Sequence, residues 1–448
     1  MAYSTESNAL ISLLEQVAMP RRILLCVSGS IAAYKALDLA SLLTKLGVKV
    51  AVVMSESALK FITPLSFEAI THTKVLHQGS EDWSMHTEPR QKVDSSDEPT
   101  LACNHIAYAQ WAELCILAPA TASSIAKLAH GIADTLLIQT LLATNAPIIC
   151  APAMNTQMLR ATPTAANLTA LAAQGVQIVA PKCARLACGT TGDGALADMS
   201  QIIFAMLKAS KQDGFWQDRE VCITGGGSSA MLDPVRAITN HSSGLQASAL
   251  AIALYSLGAR VSLISSNFPT PLPSEISTLE VRTNSDYKLA LLDIAQQARD
   301  KHKDTDSRVI LFMAAALADF APKQSATSKI KKSQTTQLHI TLESTQDILA
   351  SLDSSDFVKV GFKAEDSLEA GLANARAMLL PIARGGKDCE IVCLNTLESN
   401  PFGAAHNRFI LLNRQNLDSS AMTHLPHSSK LALSYEIARF VQESLVAK

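Results

Sequence analysis

The sequence predicts an α/β protein with two Rossmann-like domains, each built on a parallel, doubly wound sheet. Two segments, 22–30 and 220–227, run from a continuous apolar stretch into glycine and serine. A helical pattern and a second apolar stretch follow each of them, which is the βαβ arrangement of parallel sheets. The length of 448 residues leaves room for two or three such domains.

Composition excludes several classes of protein. Hydrophobic residues make up 48% of the chain and charged residues 17%, which supports packed cores and argues against disorder. The formal net charge of −2 argues against a dedicated nucleic-acid binder. The longest apolar runs, 136–154 and 247–266, are interrupted by polar residues, so no membrane span is expected. Nine cysteines without CxxC pairs and no signal-like N-terminus predict a cytoplasmic protein with free thiols.

We expect four parts along the chain. An N-terminal extension at 1–20 has the pattern of one amphipathic helix, and a first domain occupies 21–207. A polar stretch without apolar periodicity at 208–219 is predicted to be a linker, and the second domain occupies 220–448. Two polar segments, 79–99 and 325–337, are predicted to be exposed loops.

The first domain begins with a strand at 22–30, a helix at 32–46 and a strand at 48–54. Further strands are predicted at 114–117, 147–150 and 176–179. The second domain begins with a strand at 220–227, a helix at 245–257 and a strand at 260–265. Its later strands are predicted at 309–313, 357–361 and 390–394. Strands that alternate with helices in this way are typical of a doubly wound sheet.

Three short motifs of the first domain follow predicted strands. The segment 28–35 offers backbone N–H groups and hydroxyls at a helix start, where a phosphate can bind. It does not match GxGxxG, and on this motif alone a phosphate site and an ordinary tight turn are equal alternatives. The segments 118–122 and 151–155 follow two more buried strands, at the edge where open α/β sheets bind ligands. Asn155 offers an amide suited to a carboxylate or an amide.

Two further residues of the first domain are candidates for chemistry. His105 begins a predicted helix and is suited to a general base near neutral pH, although a lone histidine is more often a surface or core residue. Cys188 lies in the glycine-rich segment 186–194. A thiol in such a segment is accessible, unlike one in a strand, and the glycines are typical of a flap.

The second domain contains the sharpest motif. Leu232-Asp-Pro-Val-Arg236 is an extended connection, and Asn240-His-Ser-Ser-Gly244 then leads into a helix with donors for anionic oxygens. The segment 313–320 ends a strand with small residues and one aspartate. Lys329-Ile-Lys-Lys332 is a cationic run. Such a run is usually a solvated loop, but opposite a nucleotide it would clamp a triphosphate.

In this order the motifs of residues 21–207 resemble those of the homo-oligomeric flavin-containing cysteine decarboxylases. With the second domain, residues 21–448 resemble the fused phosphopantothenoylcysteine decarboxylase/phosphopantothenate–cysteine ligases of bacterial coenzyme A synthesis. Flavin prenyltransferases share the fold but lack the pair of Pro-Ala-Met-Asn and Ala-Cys-Gly motifs found here.

The resemblance implies FMN in the first domain, bound between subunits. FMN would oxidise the thiol side of the substrate, so that loss of CO₂ leaves a stabilised ene-thiolate. His105 would be the base near the oxidation step, Asn155 would hold the substrate carboxylate, and Cys188 would donate the final proton. The residues implied to bind FMN are Ser28, Gly29, Ser30, Ile31, Ser55, Ala120 and Thr121.

For the second domain the resemblance implies CTP-dependent activation of 4'-phosphopantothenate as an acyl-cytidylate. L-cysteine then displaces CMP, and the product, phosphopantothenoylcysteine, is decarboxylated to 4'-phosphopantetheine. Asn240 would stabilise the acyl-cytidylate step, and Mg²⁺ would bridge the triphosphate through ligands that the sequence does not identify. The family suggests a trimer-based homo-oligomer, up to a dodecamer. The residues implied to surround CTP are Ala315, Ala316, Asp319, Lys329, Gln346, Asp347, Ile348 and Phe362.

Departures from the family pattern leave two alternatives open. Ala195-Leu196 stands where the family has Arg-Met, and the first loop of the second domain, 225–231, lacks the usual Thr-Arg-Glu-Pro. The predicted helix 372–382 lacks two expected lysines, for which Arg384 or Lys387 are candidate replacements. One alternative is a monofunctional FMN decarboxylase with a degenerate, structural ligase-like domain. The other is a flavin-binding regulatory subunit without turnover.

Overall fold

The computed structural model describes residues 5–83, 101–185, 189–301, 308–331, 337–396, 403–416 and 422–446. These residues form two compact units. The first unit contains residues 18–211, and the second contains residues 212–446 together with residues 5–17. Most of the predicted loop at 79–99 lies outside the described residues.

The first unit holds seven strands and eight helices within its described residues. The strands are β1 Arg22–Val27, β2 Lys49–Met54, β3 Leu114–Ala120, β4 Ile148–Pro152, β5 Gln177–Ile178, β6 Lys182–Arg185 and β7 Thr191–Ala195. The helices are α2 Ala33–Lys45, α3 Pro64–Thr71, α4 His105–Trp111, α5 Ala122–His130, α6 Leu136–Ala143, α7 Thr156–Arg160, α8 Thr162–Ala173 and α9 Met199–Lys211.

The sheet of the first unit has the strand order β2-β1-β3-β4-β5 and is parallel throughout. This is the flavodoxin-like order, whose topological switch point lies between β1 and β3. Strand β3 is buried along its whole length, which is why it is a continuous apolar run in the sequence. Strands β6 and β7 form a separate antiparallel hairpin.

The second unit begins with α1 (Thr5–Leu14) and resumes after α9. Its strands are β8 Glu220–Gly225, β9 Ser229–Met231, β10 Ala237–Thr239, β11 Arg260–Ser265, β12 Ser277–Glu280, β13 Val309–Met313, β14 Phe320–Pro322, β15 Leu342–Ser344, β16 Phe357–Glu365, β17 Ile391–Thr396, β18 His406–Asn407, β19 Ile410–Asn413, β20 Thr423–His424 and β21 Ser428–Ser429. Its remaining helices are α10 Leu245–Ser256, α11 Asn284–Lys301, α12 Ile348–Ser351, α13 Leu368–Leu379 and α14 Lys430–Val446.

The main sheet of the second unit has the order β12-β11-β8-β13-β16-β17-β19-β20. Its first six strands are parallel and follow the Rossmann order 3-2-1-4-5-6 when numbered within the unit. Strands β19 and β20 extend one edge in the antiparallel direction. Helix α10 is buried on nearly all sides, because it packs on β8 and β11 and is covered by α14. The prediction of two doubly wound α/β domains is confirmed.

The predicted linker at 208–219 is more structured than its polar sequence suggests. Helix α9 continues through Lys211, and the division between the units falls directly after this residue. Trp216 is fully buried, with its ring centroid 6.5 Å from that of Phe312 in β13. An aromatic anchor therefore fixes the start of the second unit.

The N-terminal helix α1 belongs to the second unit, although the first unit follows it in the chain. Leu10, Leu14 and Val17 are buried, and α1 contacts the C-terminal helix α14. Within the described part of the chain, no helix combines the length and the apolar character needed to cross a bilayer.

Candidate functional site

The C-terminal edge of the first sheet is held together by Ser28. Its hydroxyl donates to the Pro119 carbonyl at 2.6 Å and accepts from the Thr121 amide at 2.9 Å. Ser28 is completely buried, so this hydroxyl links the ends of β1 and β3 across the switch point. The Ser28 hydroxyl, predicted to bind the cofactor, is therefore engaged within the protein.

Gly29 allows the turn after β1 to approach the segment after β2. A Cβ at this position would lie 2.3 Å from the Cβ of Ser57 and 2.9 Å from its carbonyl carbon. Ser55 begins that second segment, and its amide donates to the Val27 carbonyl at 3.0 Å. Ser30 and Ile31 follow Gly29, and the Ile31 side chain is 57% exposed. The glycine thus lets the loops after β1 and β2 pack in direct contact, and we call this junction the cradle.

Thr121 places a helix start beside this cradle. It follows the buried Ala120 and is the N-cap of α5, where its hydroxyl accepts from the Ser124 amide at 3.4 Å. The free N–H groups of such a helix start favour an anion. The structure therefore brings the predicted residues after β1, β2 and β3 to one edge of the sheet.

His105 is the first residue of α4, which begins where the sequence predicts. Asn104 caps this helix by accepting from the Ala107 amide at 2.9 Å. The His105 Nδ1 atom lies 2.8 Å from the Glu81 carboxylate, and the Trp83 ring meets the imidazole edge-on at 5.5 Å between centroids. The sequence did not predict a role for Glu81. Its only indication was an acidic residue near a tryptophan in a polar segment.

Asn155 lies at the end of β4, against the β6–β7 hairpin. Its side-chain oxygen accepts from the Gln157 amide at 2.8 Å, while the Met154 amide donates to the Gly194 carbonyl at 2.9 Å. A Cβ on Gly194 would lie 1.8 Å from the Met154 carbonyl oxygen, so only glycine permits this contact. The predicted flap thus rests on the loop that carries Asn155.

A second contact holds the hairpin. Arg160 of α7 forms an ion pair with Asp193, and its hydrogen bond lowers the Asp193 carboxyl pKa. The Thr156 hydroxyl is buried beside Gly192 and has no hydrogen-bond partner among the described residues. Cys188, the predicted proton donor of the flap, lies outside the described residues.

Of the departure at Ala195-Leu196, the second residue is buried. Ala195 pairs with Lys182 in the hairpin, and Leu196 is only 4% exposed. The replacement of the family's arginine by Ala195 has no structural explanation.

The predicted nucleotide residues of the second unit divide between two cavities. The cavity that we call the phenylalanine cavity has a volume of about 200 Å³ and includes Ala315, Ala316 and Phe362. The start of α10 at Gly244 borders it, and the Phe362 ring meets Phe409 edge-on at 5.8 Å between centroids. It lies at the carboxyl ends of β8, β13 and β16, which is the ligand edge of an open α/β sheet.

The second cavity, which we call the hairpin cavity, has a volume of about 400 Å³. Gln346 and Ile348 line it, together with β9 and the start of α11. The Gln346 side-chain oxygen accepts from the Lys288 ammonium at 2.7 Å. The prediction placed all eight residues around one nucleotide, whereas the structure separates these two from Phe362.

Three predicted nucleotide residues, Asp319, Lys329 and Asp347, line neither cavity. Asp347 caps α12 and forms an ion pair with Lys387 at 2.9 Å. Burial raises the Asp347 pKa, but the Ala350 amide and the Lys387 ammonium together bring it below the ordinary value. Lys387, one of the two candidate replacements for the missing lysines, thus lies beside a predicted nucleotide residue.

Asp233 of the Asp-Pro-Val-Arg motif is buried and organises the loop that carries Lys329. Its carboxylate accepts from the Val235 and Arg236 amides at 2.8 Å, and from the Ile330 amide at 3.1 Å. Burial alone would raise the Asp233 pKa, but these amides and the Arg236 guanidinium lower it. The sequence indicated a rigid connection here, and the structure shows that its carboxylate fixes the cationic loop.

Asn240 lies where two loops cross. Its amide donates to the Leu317 carbonyl at 2.8 Å, and a Cβ on Gly227 would lie 2.3 Å from the Asn240 carbonyl oxygen. The buried Ser228 hydroxyl accepts from the Ala318 amide at 2.8 Å and holds the same crossing. The altered glycine loop at 225–231 therefore still joins the ends of β8 and β13.

Metal ligands do not cluster in the part of the chain that the structure describes. No three His, Cys, Asp or Glu side chains there are arranged to hold a metal ion. The eight described cysteines are free thiols, and seven of them are buried. Cys183 in β6 is the exposed one.

Comparison with known proteins matches both units. Residues 12–210 match the family described as Flavoprotein, and residues 216–445 match the DNA/pantothenate metabolism flavoprotein C-terminal domain. The coenzyme A biosynthesis bifunctional protein CoaBC of Vibrio vulnificus is 34% identical over 95% of this chain and 98% of its own length. The Bacillus subtilis protein of the same name is 34% identical over 93% of this chain and 95% of its own.

Solved structures with similar sequences include the FMN binding protein AtHal3. It is 33% identical, with a TM-score of 0.34, and the match covers 41% of this chain and 93% of that one. The motifs at the two sheet edges, the two matched domains and the full-length relatives agree with one another. The chain therefore belongs to the family of coenzyme A biosynthesis bifunctional proteins CoaBC, with an N-terminal flavoprotein decarboxylase domain and a C-terminal ligase domain.

Proposed function

We propose that this chain joins L-cysteine to 4'-phosphopantothenate with CTP and then decarboxylates the product, phosphopantothenoylcysteine, to 4'-phosphopantetheine. The observation that carries the proposal is the presence of intact motif residues at the ligand edge of both sheets. We place the protein in the cytoplasm, because its described cysteines are free thiols.

The residues of the first unit fit FMN. Gly29 lets the loops after β1 and β2 pack in direct contact, and Thr121 adds a helix start suited to the FMN phosphate. Bound FMN would supply the two-electron oxidation of the substrate thiol side. Ser30, Ile31 and Ser55 would contact it, while Ser28 and Ala120 hold the strand ends that position them.

The remaining residues of the first unit would handle the substrate and its protons. Glu81 holds the Nδ1 side of His105, which leaves Nε2 as the atom that can take a proton. Asn155 would bind the substrate carboxylate with its amide. Cys188 is retained as the proposed proton donor, and Gly192 and Gly194 would let its flap lie close to the loop of Asn155.

In the second unit, Asn240 would hold the acyl-cytidylate, and the phenylalanine cavity would hold CTP against Phe362 and the start of α10. The other residues proposed to bind the nucleotide are Ala315, Ala316, Asp319, Lys329, Gln346, Asp347 and Ile348. Of these, Ala315 and Ala316 line the phenylalanine cavity, whereas Gln346 and Ile348 line the hairpin cavity. Magnesium would arrive with the triphosphate, since Mg²⁺ usually binds through phosphates and water with few protein ligands.

We propose a trimer-based homo-oligomer, up to a dodecamer. Exposed apolar side chains on the first unit support subunit contacts near the FMN edge. They include Ile31, Tyr34, Phe61 and Leu65, each at least half exposed.

Two assays on one preparation test the proposal. The purified protein should show flavin absorbance, release CO₂ from phosphopantothenoylcysteine, and release pyrophosphate from CTP only when both phosphopantothenate and cysteine are present. His105→Asn should abolish CO₂ release and leave pyrophosphate release intact. Asn240→Ala should do the reverse.

The departures in the second domain favour a second candidate, a monofunctional decarboxylase. CO₂ release without any CTP-dependent pyrophosphate release, from folded protein, would establish that candidate and exclude the bifunctional one. Flavin absorbance without either activity would instead indicate a regulatory subunit.

A further inference from the structure

We propose that Lys430 binds the phosphate chain of the nucleotide in the phenylalanine cavity, and that the N-terminal segment around Glu15 and Gln16 holds it there. The inference rests on the proposed ligase function and adds a residue and a positioning element to it. Neither feature was among the residues that the sequence predicted for the nucleotide.

The charge of the phenylalanine cavity points to an anion. Among its described lining residues are two lysines and two histidines, and none is aspartate or glutamate. Lys363 is already paired, because its ammonium lies 2.9 Å from the Glu365 carboxylate. His406 lies 3.7 Å from the Glu15 carboxylate. Lys430 remains without an ion pair or side-chain hydrogen bond to any described residue.

Burial makes this lysine unusual. Lys430 is half-buried at the first position of α14, and loss of hydration lowers its ammonium pKa. A charged group removed from water without a partner carries a free-energy cost, which an anionic ligand offsets. The start of α10 at Gly244 lies on the same cavity and adds backbone donors. Phosphate oxygens satisfy both groups at once.

The N-terminal segment fixes the residue that precedes Lys430. The Ser429 amide donates to the Gln16 side-chain oxygen at 3.0 Å, and the Ser429 hydroxyl donates to the Glu15 carbonyl at 2.6 Å. The Lys430 amide donates to the Ala405 carbonyl at 3.1 Å. Three bonds thus hold the first turn of α14 at the wall of the cavity.

The segment also has a conformation that suits this task. Gln16 has φ of +64°, which directs the chain sharply after α1. Leu10 and Leu14 anchor α1 in the second unit, and His406 stacks on His427 at 5.5 Å between centroids beside Ser429. Residues 15 and 16 therefore reach the cavity wall from a fixed base. Lys329, the cation predicted for the phosphates, is exposed and lines neither cavity.

Calorimetric titration of the full-length protein tests the role of Lys430. CTP with Mg²⁺ and inorganic tripolyphosphate are the two probes, and Lys430→Gln should weaken both by about tenfold, the usual value of one charge-assisted bond to an anion. Lys430→Met removes the charge and keeps the apolar stem, so it serves as a second variant if the first folds poorly. Lys211→Gln is the matched control, since Lys211 is another half-buried lysine with a lowered pKa, but lies in the first unit.

The outcomes separate this inference from the ligase function. If the wild type binds CTP and either folded Lys430 variant binds it equally well, the inference is overturned and the ligase function stands. If tripolyphosphate binds through Lys430 but CTP gives no pyrophosphate with both substrates, the inference stands and the ligase function fails. If the wild type binds neither probe, both are overturned.

Gln16→Gly tests the positioning element. Glycine tolerates the positive φ of this position, so the variant removes the side-chain acceptor without straining the turn. We expect roughly threefold weaker binding of tripolyphosphate, with unchanged flavin content. If Gln16→Gly binds tripolyphosphate as tightly as the wild type, the N-terminal segment does not position the site.

Discussion

The two units differ in how the chain assembles a site on the same kind of sheet edge. In the first unit, the ends of β1, β2, β3 and β4 each contribute one short motif, and neighbouring strands place those motifs side by side. In the second unit, the residues that line the phenylalanine cavity are as distant in sequence as Gly226 and Lys430. The loop of Lys329 is fixed by a carboxylate almost a hundred residues earlier.

This difference teaches which functional residues a sequence can reveal. A motif that follows a strand is placed by the strand, so the sequence locates both together. A residue placed by long-range hydrogen bonds, such as Lys430, whose neighbour Ser429 donates to Gln16, has no local signal of its role. Substitutions in each unit test whether its site depends on motifs that follow strands or on long-range hydrogen bonds.

Gly29→Ala should have the largest effect, confined to the first unit. The added Cβ would lie 2.3 Å from that of Ser57, so the cradle must open. Overpacking of about 1–3 kcal/mol corresponds to flavin binding weakened roughly fivefold to 150-fold. Flavin absorbance per protein after dialysis measures the effect. Gly214→Ala is the control, because its Cβ meets nothing within 4 Å. Full flavin retention in Gly29→Ala would contradict the cradle.

Asp233→Asn should have the next largest effect, confined to the second unit. The amide keeps the shape but loses the charge that accepts from three backbone amides, so the loop of Lys329 shifts. We expect ligase turnover to fall about tenfold or more, since small displacements of a binding group are costly. Pyrophosphate release measures it, and CO₂ release serves as the internal control. A parallel loss of both activities would show that Asp233 acts on the whole chain.

Glu81→Gln tests a long-range contact within the first unit. The neutral amide no longer favours a proton on His105 Nδ1, so we expect decarboxylation to slow about tenfold with flavin content unchanged. The KM for phosphopantothenoylcysteine should stay unchanged while kcat falls, which a general disruption of the site would not produce. Glu113→Gln is the control, as this carboxylate pairs with Arg22 in the same unit. A wild-type kcat in Glu81→Gln would exclude the positioning role.

Acid should destabilise the second unit more than the first. This is the smallest of the expected effects. A carboxyl whose pKa is lowered on folding stabilises the protein above its ordinary pKa of about 3.9, and this contribution is lost as the pH falls through and below that value. Among the described residues, Asp193 is the lowered carboxyl of the first unit. Those of the second unit are Asp233, Asp286, Asp347, Asp353, Glu365 and Asp388.

Hydrogen exchange at pH 7 and pH 3, followed by mass spectrometry of peptides, measures both units in one sample. Peptides of the main sheet in the second unit should lose more protection than those of the first sheet, after correction for the intrinsic exchange rates. An equal loss in both sheets would show that the lowered carboxyls do not control acid stability.

Much of the fold was predictable because buried parallel strands are continuous apolar runs. Strands β11 and β13 begin and end where the sequence places them, and α4 begins at His105. Strand β12 was missed because all four of its residues are exposed, so its sequence has no apolar pattern. The end of α9 and the buried Trp216 within the predicted linker were not expected, because its sequence has no apolar periodicity.

The candidate site was predictable only where a motif follows a strand. Ser28–Ile31, Thr121 and Asn155 lie at the sheet edge as expected, although Ser28 is turned into the structure. Glu81 and Lys430 could not be found, because single charged residues outside a motif are usually solvated. The separation of Gln346 from Phe362 was hidden as well, since Gln346 follows β15, which pairs with β14 outside the main sheet, whereas Phe362 lies within β16.

The position of α1 has a consequence for how the protein is made. Synthesis produces the first helix of the ligase unit, then the whole flavoprotein unit, and only from residue 212 the rest of the ligase unit. On the ribosome, Leu10 and Leu14 therefore cannot pack until α14 has been synthesised. A gene fragment that starts at residue 212 would leave the groove for α1 open, and a separately added peptide of residues 1–17 is the natural means of closing it.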